Sequence, residues 1–508
     1  MNKKIAPSLA LALVFSGCAV GPDYQRPGNP LPDQYKDAAL PAEDASEEVP
    51  VNAEWWTLFG DEELNRLVTR ALENNHDLKA AFARMEAAEA AAREAGSEFL
   101  PGVDLTGSST RSRSSGTTIT GKQTGVVKGS NRRVALSVSY ELDLWGRIRR
   151  SVEAADADAF AGRFSRDALQ LSLAGQVTGE YLTLRVLDAE LHTTAQMLES
   201  RRQTLDIVQR RVDAGASSAL DRAQARAALA AAEAQWSQLN RQRTLTENLL
   251  GLLTAQPDLK VAEKTDFENL PLPPLPPLGL PSRLLEARPD VREAEERLIA
   301  ANARIGVAKA AYFPSIGLTG LFGSESAAVS DLFGTHRSNI WSYGATLLMP
   351  IFDWGRTGAR VDQATAGQRE ALENYLTTVE NAFREVKDAL VSLRELGNES
   401  TALQQQAEAA REAYRIAEER YKVGYSGFLE LLDSQRTLNA AELQQQDARR
   451  NHLSAAVDLF KALGGGWQDS RPNASALRHS ISLSLSGGWR ETTAEETTPE
   501  LSTDGQSD

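Results

Sequence analysis

A chain of 508 residues is long enough for several globular domains, yet only 6% of it is aromatic, 24% is charged, and alanine and glutamine crowd its middle. That is the profile of long helices with small interfacial residues. The formal net charge of −14 offers no basic surface to nucleic acid. Cys18 is the single cysteine, which excludes an intrachain disulfide or a thiolate cluster, and five scattered histidines show no ligand spacing such as HExxH. No metal, cofactor or catalytic residue is expected.

The N-terminus is an address. Lys3 and Lys4 precede an apolar run from Ile5 to Phe15, and Ser16-Gly17 set small residues before Cys18. Residues 1–17 therefore read as a secretory signal, too short for a membrane span. A lone cysteine directly after such a site resembles a bacterial lipoprotein, in which the acylated thiol becomes the first mature residue. Phe15 departs from the commoner Leu, and Ala19 in place of Asp points to the outer membrane.

The chain then repeats itself. Asp143-Leu144-Trp145-Gly146-Arg147 recurs as Phe352-Asp353-Trp354-Gly355-Arg356, and Arg211-Val212-Asp213-Ala214-Gly215 as Arg420-Tyr421-Lys422-Val423-Gly424, each 209 residues on. Phe99-Leu100-Pro101 matches Phe313-Pro314 at an offset of 213, so the second copy has lost four residues where loop residues dominate. The expected modules are 62–270 and 282–467, joined by the proline-rich spacer 271–281 with its six prolines. Residues 18–61 form a leading segment, and 468–508 an acidic, Ser/Thr-rich tail expected to be disordered.

Each module reads as helix, strand, loop, strand, long helix, turn, helix. A first helix is expected over Glu62–Glu98. Val103 and Leu105, then Val134, Leu136, Val138, Tyr140 and Leu142, alternate with small or polar residues around a loop from Ser108 to Arg133. Ile316, Leu318 and Leu321, then Trp341, Tyr343, Ala345 and Leu347, do the same in the second copy. On pattern alone a half-buried soluble hairpin fits equally. Strand length and the long polar loop favour a bilayer. Four strands cannot close a barrel, so an oligomer is required, and three chains give twelve strands. From Gly146 to Arg211 and from Gly355 to Arg420 no proline interrupts the helical pattern, which allows roughly 90–100 Å in each run. No GxxxxGK[ST] loop occurs, and the acidic residues sit at helix-surface spacing, so no enzyme is expected. A structural coiled-coil envelope lipoprotein is the competing class, but it leaves the strands without a role.

Gly17-Cys18-Ala19-Val20-Gly21-Pro22-Asp23-Tyr24, Trp55-Trp56, Phe59-Gly60-Asp61, Arg288-Pro289-Asp290-Val291, the two Trp-Gly-Arg turns and Lys461-Ala462-Leu463-Gly464-Gly465-Gly466-Trp467 occur along the chain. Together they resemble the outer-membrane factor lipoproteins of tripartite efflux pumps, the TolC-like and OprM-like channels of the NodT group. The resemblance implies an α+β membrane protein. A homotrimer would form a transmembrane β-barrel and a long periplasmic α-helical barrel, with an equatorial belt between them. The implied partners are outer-membrane lipid, a periplasmic adaptor and an inner-membrane transporter, most often of the resistance-nodulation-division type. The cargo is then drugs or other toxic small molecules, with metal ions or secreted peptides as alternatives. The hairpin ends Arg211–Asp221 and Arg420–Glu430 form the expected periplasmic tip. Arg211, Gly215, Ser217, Arg420, Gly424, Tyr425 and Ser426 lie where an adaptor would engage, because backbone near glycine can be approached closely. Related channels close through rings on the inner helix just before the second-module tip. Mapped by distance from Arg420-Tyr421, those positions are Tyr414 and Glu418, and their first-module equivalents are Leu205 and Gln209.

Overall fold

The computed structural model describes residues 19–28, 32, 53–118, 122–123, 125–274, 288–334 and 336–467. Cys18, the signal segment, most of the proline-rich spacer and the tail from 468 lie outside the described residues.

Among the described residues, seven long or medium helices and four strands follow in chain order. They are α1 (Glu62–Asn74), α2 (His76–Ser97), β1 (Gly102–Arg113), β2 (Lys128–Glu141), α3 (Arg147–Asp213), α4 (Ala219–Leu253), α5 (Pro289–Ala310), β3 (Ser315–Ser326), β4 (Asn339–Leu348), α6 (Arg356–Lys422) and α7 (Phe428–Ala462). The order helix, strand, strand, long helix, returning helix thus occurs twice. The long helices are 67 residues in each half and the returning helices 35. At 1.5 Å per residue the long helices run about 100 Å. Near the strands α3 and α6 pack on the short helices α2 and α5, and towards their far ends on α4 and α7.

Two sequence expectations need correction. The helix expected over Glu62–Glu98 is two helices, broken at Asn75. Its side-chain oxygen accepts from Leu78 N at 3.0 Å while its Nδ2 donates to Leu253 O at 3.0 Å. An asparagine that can cap one helix and anchor a second chain segment competes successfully with continuing the first. The loop expected from Ser108 to Arg133 is shorter, because β1 continues to Arg113 and β2 begins at Lys128. Side chains there are polar on both faces, so alternation vanishes although the backbone ladder goes on.

The strands form one antiparallel sheet in the order β1-β2-β3-β4. Its register aligns the apolar positions across all four strands. Val103 faces Val138 and Leu105 faces Leu136, Leu136 faces Phe322 and Tyr140 faces Leu318, and Phe322 faces Trp341 and Ile316 faces Leu347. The opposite face carries Asp104 against Ser137, Thr319 against Ser139 and Gly344 against Thr319. Each strand therefore contributes one apolar and one largely small or polar row to a two-sided sheet.

The largest apolar core lies where the helix sets change. Trp55 is fully buried and stacks on Phe460 with ring centroids 5.4 Å apart. Phe59, Leu67, Tyr181, Leu250 and Phe267 are among that cluster's other large side chains. Asp61 caps α1 by accepting from Glu63 N at 2.9 Å, accepts the Tyr181 hydroxyl at 2.6 Å, and pairs with Lys264 at 3.1 Å. Burying these residues is worth roughly 1.5–3 kcal/mol per large side chain, and it anchors the segment before α1 to α3 and α7.

Candidate functional site

The functional features lie at the two ends of the helices. At the strand end, Asp143 and Asp353 recur in the same job. Asp143 accepts from Ile148 N and Arg149 N at 3.0 Å each, and Asp353 from Gly355 N at 3.0 Å and Thr357 N at 2.8 Å. Gly146 and Gly355 between them have φ of 78° and 83°, a region that glycine enters without strain. The stretches from Asp143 to Arg147 and from Asp353 to Arg356 are thus the turns that convert a strand into a long helix. Trp145 is tucked in, donating Nε1 to Pro314 O at 2.7 Å and stacking on Phe313 at 4.8 Å. Trp354, its counterpart, is 89% exposed beside Phe352 and Ile351. Trp341 and Tyr343, stacked at 5.7 Å, stand within β4 on the apolar sheet face, whereas Phe352 and Trp354 make an aromatic margin just past the end of that strand. Aromatic rings favour such a place at the edge of a hydrocarbon layer.

Residues 19–28 descend from this junction along α5. Val20 N donates to Trp145 O at 2.9 Å, Asn302 Nδ2 to Pro22 O at 2.9 Å, and Arg26 pairs with Glu295 at 2.6 and 2.7 Å. A Cβ on Gly21 would sit 2.6 Å from the Gly306 backbone, so both glycines permit the close approach.

At the other end the two helical hairpins come together. Gly215 and Gly424 have φ of 75° and 84°, and Ala216 N and Tyr425 N return to the Arg211 and Arg420 carbonyls at 2.7 and 2.9 Å. Both are C-terminal αL caps. α4 opens with a capping box between Ser218 and Asp221, whereas Gly427 before α7 has no side chain to cap with. A cluster of Val208, Ala225, Ala228, Tyr421, Phe428, Leu431 and Leu432 holds the hairpins together. The Arg211 guanidinium lies 4.6 Å from the Tyr421 ring centroid, and Arg420 pairs with Glu430 at 3.3 Å. Ser217 is half-buried, Gly215 and Gly424 are exposed, and Tyr425 stands 84% exposed. Ser426 turns inward, its hydroxyl buried without a hydrogen-bond partner.

Tyr414 and Glu418 share one face of α6. Tyr414 and Glu418 are both half-buried. Tyr414 packs against the tip cluster, as does Leu205, its counterpart on α3. Glu418 pairs with Lys422 at 3.0 Å on its own helix. Leu220 and Leu429 escape the sequence reading. Each is 64% exposed at the start of a returning helix. They are 209 residues apart, the spacing that marks the glycines, and that recurrence was the available signal.

Among the described residues no helix is long and apolar enough to cross a membrane, and no group of His, Cys, Asp or Glu is placed to hold a metal ion. An amphipathic strand sheet carrying helices about 100 Å long defines an outer-membrane duct. The chain belongs to the outer membrane efflux protein family, whose profile matches residues 67–256 and 280–465. It is 36% identical to outer membrane protein OprJ of Pseudomonas aeruginosa over 467 residues, 91% of this chain and 96% of OprJ. It is 31% identical to cation efflux system protein CusC of Escherichia coli over 474 residues, 92% of this chain and 99% of CusC. The fold superposes on the crystal structure of the Campylobacter jejuni CmeC outer membrane channel with a TM-score of 0.83 at 28% identity, covering 91% and 98% of the two chains. The protein is an outer-membrane efflux channel with a large periplasmic helical portion, and it is not an enzyme.

Proposed function

We propose that three copies close into a passive duct. Twelve strands form a β-barrel in the outer membrane, and the long helices form a barrel that crosses the periplasm to an adaptor and an inner-membrane transporter of the resistance-nodulation-division type. The carrying observation is the open sheet. β1 and β4 are edges, exposed along nearly their whole length, and the face they share is apolar. In hydrocarbon, unpaired strand edges are not tolerated, so β1 of one copy must pair with β4 of another. Acylation of Cys18, which lies outside the described residues, fits this arrangement. Ala19 lies against Gly146 at the foot of the strands, where a lipid would enter the same leaflet. The two hairpin ends serve as the adaptor-docking tip, and Tyr414 with Glu418 as the resting constriction. Within this reading residues 18–61 brace the equator, 271–281 link the two modules, and 468–508 form an acidic tail.

Small toxic organic molecules are the proposed cargo. The name of CusC keeps cation efflux as a second reading, although this chain has only four methionines. Planar-bilayer recording of the purified protein, with its mass in detergent, tests the duct. Trimer mass with stable unit conductance is expected, whereas a monomer without conductance leaves a structural envelope lipoprotein.

A further inference from the structure

A cavity of about 270 Å³ lies between α3, α6 and α7, a few turns from the tip. Arg201 of α3 lines it and is only 7% exposed. Its Nη1 donates to Ala228 O, its Nε has no hydrogen-bond partner, and no described carboxylate pairs with it. Burial, reinforced by the Arg436 charge on α7, pulls the Arg201 pKa down. A buried guanidinium without an anion is an expensive arrangement, because its desolvation is uncompensated. The same wall holds a second unmet group, the buried Asn439 Oδ1.

The lining also defines what would fit. Arg411 is already engaged with Glu442 at 2.8 Å, so among the described residues the wall presents one cation without a carboxylate partner, Arg201, near one carboxylate, Glu442. With Glu442 neutralised by Arg411, these three side chains leave one net positive charge, which a single carboxylate balances. Tyr414, Leu438 and Met197 give the cavity an apolar side. The volume is many times the roughly 30 Å³ that one water occupies, and it suits a compact organic molecule better than a single inorganic ion. We propose that this cavity binds a small organic monocarboxylate, its carboxylate on Arg201 and its apolar body against Tyr414 and Leu438. The ligand would touch α3 of the first hairpin and α6 and α7 of the second, and so tie the two together. This inference goes beyond the duct reading and does not depend on the gate assigned to Tyr414.

Isothermal titration of the full-length protein in detergent with benzoate tests it, with benzamide as the neutral isostere and sulfate as the inorganic control. One benzoate per chain is expected, with benzamide and sulfate at least about tenfold weaker, the scale of one charge-assisted hydrogen bond. Arg201→Met should abolish binding and Arg201→Lys should retain part of it. Because replacing a buried arginine can impair folding, Leu438→Trp provides a second arm, filling the cavity while leaving the charge in place, and it should also abolish binding. Absence of saturable benzoate binding, benzamide binding as tightly, sulfate binding more tightly, or wild-type affinity in a folded Leu438→Trp protein overturns the proposal.

Discussion

The Val20 amide donates to the Trp145 carbonyl at 2.9 Å, which fixes the start of the described chain to the turn where β2 becomes α3. The residue two positions earlier is Cys18, so any lipid on it is delivered at the foot of the strands. The mature chain is expected to begin at acylated Cys18, and Cys18→Ser to remain unacylated, as read by mass spectrometry of the N-terminus. An unmodified N-terminus at another residue rejects this. Assembly should survive the loss, since the apolar sheet face still holds the protein in the bilayer.

The two sheet faces should respond oppositely to charge. Tyr343 and Ser342 are neighbours on β4 that point to opposite sides, Tyr343 into the row with Trp341 and Ser342 opposite Leu321. Tyr343→Arg should cost about 2–4 kcal/mol per chain in hydrocarbon and sharply reduce trimer yield in outer-membrane fractions. Ser342→Arg should leave yield near wild type and alter conductance instead. Equal yields would mean that the faces are wrongly assigned.

At the tip, Ser217→Arg should abolish efflux in cells while trimer yield stays unchanged, and Ser426→Arg, at a side chain turned inward, should abolish it with some loss of yield. Normal transport in both variants would place adaptor docking elsewhere. Leu220 and Leu429, exposed beside these serines, are expected to share the effect when changed to Asp.

Resting conductance tests the constriction. Tyr414→Ala removes a ring that packs on the tip cluster and should raise conductance of the closed channel. Glu418→Gln removes one carboxylate from every chain of the trimer and should lower cation preference in single-channel recordings. Two variants indistinguishable from the parent would exclude these residues.

Glu190, 6% exposed on α3, faces Asp447 and Arg450 of α7. Burial, reinforced by Asp447 and opposed by Arg450, pushes its carboxyl from 4.5 up to about 7. Between those values the folded chain keeps a proton that the unfolded chain has released, so stability is greatest below the window and falls as pH rises through it. Glu190→Gln should raise thermal stability at about pH 8 by on the order of 3 kcal/mol and change little at about pH 4. A pH–stability profile parallel to that of the parent would show that Glu190 is not the group responsible.

Much of this architecture is legible in the sequence because water on one side and hydrocarbon or helix on the other impose a period. Leu136, Val138 and Tyr140 announce a two-faced strand by their spacing alone, and Gly215 and Gly424 mark turns because φ is positive there. Legibility stops where the solvent is the same on both sides. Ser108–Arg113 and Lys128–Arg133 are strand, yet their polar side chains leave no alternation to read. Asn75 hides a helix break because the carbonyl that its Nδ2 anchors to, Leu253 O, is 178 residues away. The cavity at Arg201 is invisible for the same reason, since three helices build it and what distinguishes it is a missing partner.

In the proposed trimer the open edges of β1 and β4 would make insertion a collective act. On that reading a lone chain would expose two unsaturated strands and an apolar surface, and its conversion to a channel would depend on local abundance. Chains with a defective edge would also poison their neighbours. In a cell making equal amounts of intact and defective copies, about one trimer in eight would be wholly intact, so such an allele would be dominant.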